Sequence, residues 1–144
     1  MESYSRWEPV PDVRAPCADV VLHADPAATT VRLRVSLLRD APPRDLLLAF
    51  GAEVVACQSH EELAHPWQVD ESAGEVPRLP EPWARYAFPL LLVHASRWLA
   101  SFADSQLLDD RRAAAVHYRL VSLDNTVDVL TTGPVTAEWV APAA

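Results

Sequence analysis

Leu123-Asp124-Asn125-Thr126-Val127-Asp128-Val129-Leu130-Thr131-Thr132-Gly133-Pro134 is the stretch on which the fold class turns. Leu123, Val127 and Leu130 recur at helical spacing, Asp124 sits in front of the run, and Gly133-Pro134 stops it. That pattern predicts a short helix. Just before it, Val116, Tyr118 and Leu120 alternate with His117, Arg119 and Val121, which predicts a strand. Val135 to Val140 reads as a closing strand. Upstream, Phe88 to His94 is a near-continuous apolar run of the kind a buried strand needs. Ser96 can cap a helix running to about Leu108, with Leu99, Phe102, Ala103 and Leu107 at helical spacing. Asp109-Asp110-Arg111-Arg112 reads as a polar turn.

The N-terminal half is strand-like. The first 17 residues carry Pro9, Pro11 and Pro16, which predicts an extended arm pinned by Trp7. Val31, Leu33, Val35 and Leu37 alternate with Arg32, Arg34 and Ser36, so one face meets a core and the other meets water. Asp40-Ala41-Pro42-Pro43 is a turn. Leu46 to Cys57 fits a helix with Leu46, Phe50, Val54 and Cys57 on one face. It also fits strands interrupted at Gly51, and Val54-Val55 favours the strands. Ser59-His60-Glu61-Glu62 matches a capping box opening a short helix that Pro66 ends. Asp70 to Pro82 is acidic and proline-rich, a long loop. Together these elements predict a single α+β domain over 1–144: a mainly antiparallel sheet with two or three helices packed on one face.

Composition narrows the function. Half of the 144 residues are hydrophobic, enough for one real core. All 12 basic residues are arginine and isoleucine is absent, the codon signature of a GC-rich, bacterial genome. The net charge of −8 repels phosphate backbones and argues against nucleic-acid binding. Glu53, Glu61, Glu62, Asp70, Glu71, Glu75 and Glu81 face a single base, Arg78, so this stretch alone carries −6. No apolar run is long enough to span a membrane, and the N-terminus lacks the apolar core of a signal peptide. With only Cys17 and Cys57, the expectation is a cytoplasmic protein with reduced thiols.

The catalytic motifs are near misses. His60-Glu61-Glu62-Leu63-Ala64-His65 resembles a zinc-protease helix, but its histidines are five apart rather than four. Five helical steps leave them about 140° out of phase. Cys57, His60 and His65 could contribute to a metal site, yet no second closely spaced pair completes it, so no metal and no cofactor are expected. Three glycines are too few for a phosphate-cradling loop or a dinucleotide fingerprint, and no Gly-x-Ser-x-Gly elbow occurs.

Two function classes remain. The first is a non-enzymatic protein–protein interaction module of the immunity-protein or antitoxin type, an analogy at the level of class. Glu61, Glu62, Asp70 and Glu71 would pair with a basic partner, and Trp67 and Trp83 would fill its apolar pocket. The second is a small enzyme, or a ligand- or metal-binding domain, with a pocket near Cys57, His60, His94 or His117. A homodimer through the Val31–Leu37 edge is a further option, opposed by its outward arginines.

Overall fold

The computed structural model describes residues 2–35, 44–61 and 75–142. These contain nine strands and two short helices. The strands are β1 (Ser3–Arg6), β2 (Asp19–His23), β3 (Thr29–Val35), β4 (Arg44–Gly51), β5 (Val54–Glu61), β6 (Leu90–His94), β7 (Val116–Val121), β8 (Asn125–Thr131) and β9 (Thr136–Val140). The helices are α1 (Arg97–Ala100) and α2 (Asp109–Ala114). The strands form a five-stranded sheet, β1-β6-β7-β8-β5, and a four-stranded sheet, β2-β3-β4-β9. Every strand pair is antiparallel.

The predicted α+β class is therefore wrong: the architecture is two antiparallel sheets packed face to face. The deciding stretch is a strand. β8 lies between β5 and β7, and Thr126 to Thr131 are all buried. A central strand covered on both faces loses its alternation and can imitate helical spacing. The β-branched Thr126, Val127, Val129 and Thr131 suit the pleat better than a helix.

The other expected helices also shrink or vanish. Ser96 does cap α1, its Oγ accepting the Leu99 N–H at 3.1 Å. The helix stops after one turn rather than reaching Leu108. Arg112 takes over the freed carbonyls, donating to Leu99 O and Phe102 O at 2.7 Å and to Leu107 O at 3.3 Å. The expected polar turn at Asp109–Arg112 instead opens α2, with Asp109 and Asp110 in its first turn and Arg111 and Arg112 in its last, as a helix dipole favours. The capping box fails because Ser59, His60 and Glu61 are in β5, paired to Val127, Thr126 and Asn125. Glu62 and the turn at residues 40–43 lie outside the described residues, as do residues 70–74 of the acidic loop.

Several strand expectations hold. In β3, Val31, Leu33 and Val35 are at most 1% exposed, while Arg32 and Arg34 turn outward. The two arginines clamp the buried Asp45 carboxylate, with Arg32 Nη1 at 2.9 Å and Arg34 Nε at 3.4 Å. β3 sits between β2 and β4, so it presents no edge for a second copy. Leu46 to Cys57 divides into β4 and β5 at Gly51, whose φ of +70° is the left-handed conformation a glycine adopts freely. Part of the N-terminal arm is strand, since β1 pairs with β6.

The core lies between the sheets. Val31, Leu33, Leu46, Leu48 and Phe50 from one sheet meet Leu90, Leu120, Val127 and Val129 from the other. Tyr118 bridges them, edge-on to Phe50 at 5.6 Å and against Trp7 at 4.6 Å. The outer face of the five-stranded sheet is covered too, by the segment carrying α1 and α2, where Leu107 is buried and Trp98 stands edge-on to His117. Two seams join the sheets at one end. The Asn125 amide donates to Val20 O and accepts from Val20 N–H, and Cys17 bridges to Ser122. Trp139 of β9 donates to Pro11 O at 3.3 Å under the Arg44 guanidinium, which lies 3.7 Å from its ring centroid.

Candidate functional site

The most organised polar chemistry lies on the outer face of the five-stranded sheet. β6 ends at His94, and Ala95 turns the chain sharply with φ +52° before Ser96 opens α1. Ser96 Oγ is 2.7 Å from His117 Nδ1. His117 Nε2 is 2.7 Å from Asp128 Oδ1. The same carboxylate oxygen accepts Arg119 Nε at 2.8 Å, and Gln58 Nε2 and His60 Nδ1 approach the other oxygen at 3.5 and 3.9 Å. Register makes this possible. Arg119 lies directly opposite Asp128, and His117 lies opposite Leu130, one diagonal step away on the same face.

The proton positions follow from the partners. An ionised carboxylate only accepts, so His117 Nε2 carries the hydrogen and donates it to Asp128. In the neutral imidazole Nδ1 is then bare and accepts the Ser96 hydroxyl. Ser96 is 7% exposed, His117 2% and Asp128 0%. Arg119 also lies over the Tyr4 ring, 5.3 Å from its centroid. Burial pushes the Tyr4 phenol above its ordinary value, while Arg119 pulls the other way. Ser96 and His117 help line a cavity of about 690 Å³ whose walls include Leu92, His94, Leu99 and Val116.

The sequence pointed to His94 and His117 as pocket residues, and they do share this cavity. His94 Nε2 is 2.7 Å from Ser5 Oγ. Ser96 was legible only as a helix cap, and Asp128 not at all. The available signal was an acid inside a β-branched run, Val127-Asp128-Val129, since a carboxylate in a covered strand must find a partner.

Cys57 and His60 do not converge. Both lie on β5, three residues apart, so their side chains leave opposite faces of the strand. His60 approaches Asp128, while Cys57 packs against the inter-sheet core. His65 is outside the described residues, and among those described no group of three or more His, Cys, Asp and Glu could hold a metal ion. Cys17 is buried beside Asp19, and burial first, then that carboxylate, push its thiol up to about 12.

Of the expected partner-binding residues, Glu61 is exposed at the end of β5, opposite Asn125. Asp124 is exposed in the adjoining β7–β8 turn. Glu75 lines a second cavity of about 470 Å³ together with Ser122, Thr126, Arg78 and Arg85. Glu61 and Asp124 therefore lie near each other at the turn end of the sheet, whereas Glu75 shares its cavity with two arginines; Asp124 is an acid the sequence pattern did not single out. Trp83 is half-buried against the core and 5.9 Å from Tyr86. Glu62, Trp67, Asp70 and Glu71 lie outside the described residues.

The molecule is thus an antiparallel two-sheet protein with a buried serine–histidine–aspartate array at one end and exposed acids at the other. No family model matches the chain, and neither a curated protein nor a solved structure matches it. Among the described residues, no helix is long and apolar enough to cross a membrane.

Proposed function

We propose that this chain is a cytoplasmic interaction module that binds a basic protein partner, in the manner of immunity proteins and antitoxins. The observation that supports this reading most directly is the exposed pair of Glu61 and Asp124 at one end of the five-stranded sheet. Carboxylates presented together steer a cationic surface and pair with its arginines and lysines. A net charge of −8 strengthens that steering and disfavours nucleic acid. The two free cysteines fit a reducing compartment. Trp83 has an aromatic face partly available to a partner, although much of its indole packs inward.

The test is capture from the native host with the wild-type chain and with the Glu61→Arg/Asp124→Arg double variant. A stoichiometric basic protein should co-elute with the wild type, weaken steeply as salt rises, and bind the variant about ten-fold less tightly. Equal binding by both chains, or a partner that is indifferent to salt, refutes the reading.

A further inference from the structure

We propose that Ser96, His117 and Asp128 form a nucleophile, its base and the group that orients the base, accepting acyl groups from short, uncharged esters that enter the cavity beside them. The proposal concerns the opposite end of the sheet from the acidic residues and stands independently of partner binding.

Three features carry it. The first is the hydrogen-bond chain, 2.7 Å from Ser96 Oγ to His117 Nδ1 and 2.7 Å from His117 Nε2 to Asp128 Oδ1. Such arrays are defined by geometry and role, and their order in the chain differs between unrelated folds. Here the imidazole is used in the reverse sense to the common serine-protease arrangement, with Nδ1 toward the serine and Nε2 toward the acid. Either ring nitrogen can act as the base when the other donates to a carboxylate.

The second feature is the placement of the serine. It stands at a sharp strand-to-helix turn, directly after Ala95 with its φ of +52°. Reactive serines of hydrolases occupy turns of this type because the turn pushes the hydroxyl out of the strand. Ser96 Oγ also accepts the Leu99 N–H at 3.1 Å, which fixes the hydroxyl in line with His117. The third is the cavity. At about 690 Å³ it falls within the range of small-molecule sites, and Leu92, Leu99, Ala100 and Val116 give it mostly apolar walls. Those walls suit an aliphatic acyl chain rather than a charged one.

In the reaction, Ser96 Oγ bonds to the ester carbonyl carbon while its proton passes to His117 Nδ1. The bond from that carbon to the alkoxy oxygen then breaks, and the leaving oxygen takes the proton from Nδ1 and departs as the alcohol. Water attacks the acyl-serine, gives its proton to Nδ1, and releases the carboxylic acid as Ser96 recovers its hydrogen. The sum is ester plus water to acid plus alcohol. Asp128 stabilises the imidazolium formed in each half. Because Arg119 shares the same carboxylate oxygen, part of that stabilisation is already committed, and turnover will be slow.

The test uses a fluorophosphonate probe and p-nitrophenyl butyrate on the full chain, with intact-mass and peptide analysis. The wild type should gain one phosphonyl group on Ser96 and release p-nitrophenol. Ser96→Asn keeps a capping side chain, so it should stay folded by circular dichroism yet gain no adduct. His117→Gln should slow labelling by about 100-fold or more. A folded wild type with no adduct on Ser96 overturns the proposal. So does equal labelling of Ser96→Asn, or unchanged labelling of a folded His117→Gln.

Discussion

Asp124 and Asp128 are four residues apart in one stretch of chain, and the fold treats them in opposite ways. Asp124 stands in the β7–β8 turn and faces water. Asp128 is in mid-strand, 0% exposed, and gathers His117, Arg119, Gln58 and His60 around its carboxylate. At the turn end the five-stranded sheet displays acids, and toward the other end it buries one within a connected network. A carboxylate in a turn keeps its hydration and acts at long range, at little cost to the fold. A carboxylate in a covered strand must be held by short directional contacts, so its neighbours become fixed as well. Surface function and internal order are thus assigned to acids of the same kind by strand position alone.

The sharpest way to break this contrast is Asp128→Asn. Removing the buried charge from Arg119 and His117 should lower unfolding stability by about 3–5 kcal/mol in urea titrations. A loss below about 1 kcal/mol would mean the carboxylate is not the centre of the network.

Alkaline pH tests burial of a different group. Cys17 has its thiol pushed up to about 12 in the folded chain. The unfolded chain gives up that proton near its ordinary value of about 8.5–9. Between those points the folded state holds the extra proton, so stability from this group is full below about pH 9 and is lost as pH rises toward 12. The loss should amount to a few kcal/mol. Cys17→Ala should therefore show a shallower decline of the urea midpoint across that window; parallel declines would contradict the assignment.

Ser96→Ala ranks next. It removes both the α1 cap and the hydrogen bond to His117, and should cost about 1–2 kcal/mol of stability. The smallest effect on the fold belongs to the exposed acids. Glu61→Arg and Asp124→Arg should each leave the melting transition within about 0.5 kcal/mol of wild type. A large destabilisation there would erase the distinction between the two ends of the sheet.

How much was legible in the sequence follows from the same physics. β3 declared itself because one face is buried and the other is not, so Val31, Leu33 and Val35 alternate with arginine. β7 and β9 were found at nearly their observed limits, β7 because its residue types alternate even though His117 and Arg119 on its outer face are buried. β8 was misread because Leu123, Val127 and Leu130 match helical spacing, and burial on both faces removes the alternation that would have opposed it. The expected helix after Ser96 was cut short by tertiary hydrogen bonds from Arg112, which no local pattern announces. The buried array was invisible for a related reason. Ser96, His117 and Asp128 are brought together by the β6–β7 and β7–β8 registers, and register is a property of strand pairs rather than of any one segment. His117 was noticed as a residue type, not as a member of a network. Glu61 is exposed at the end of β5, as charge in an acidic stretch is expected to be whatever element carries it.

The bond from Trp139 to Pro11 has a consequence for how the molecule is made. It joins β9 to the proline-containing arm ahead of β2, which is synthesised well before β9. While synthesis proceeds, Arg44 has no indole beneath it and β4 has only β3 as a neighbour in its sheet, so Leu46 and Leu48 wait for β9. The N-terminal arm gains its final anchor only once β9 has cleared the exit tunnel. Closure of the four-stranded sheet is thereby tied to completion of translation through β9, and a nascent chain stopped short of Trp139 would hold the arm and the β4 edge open together.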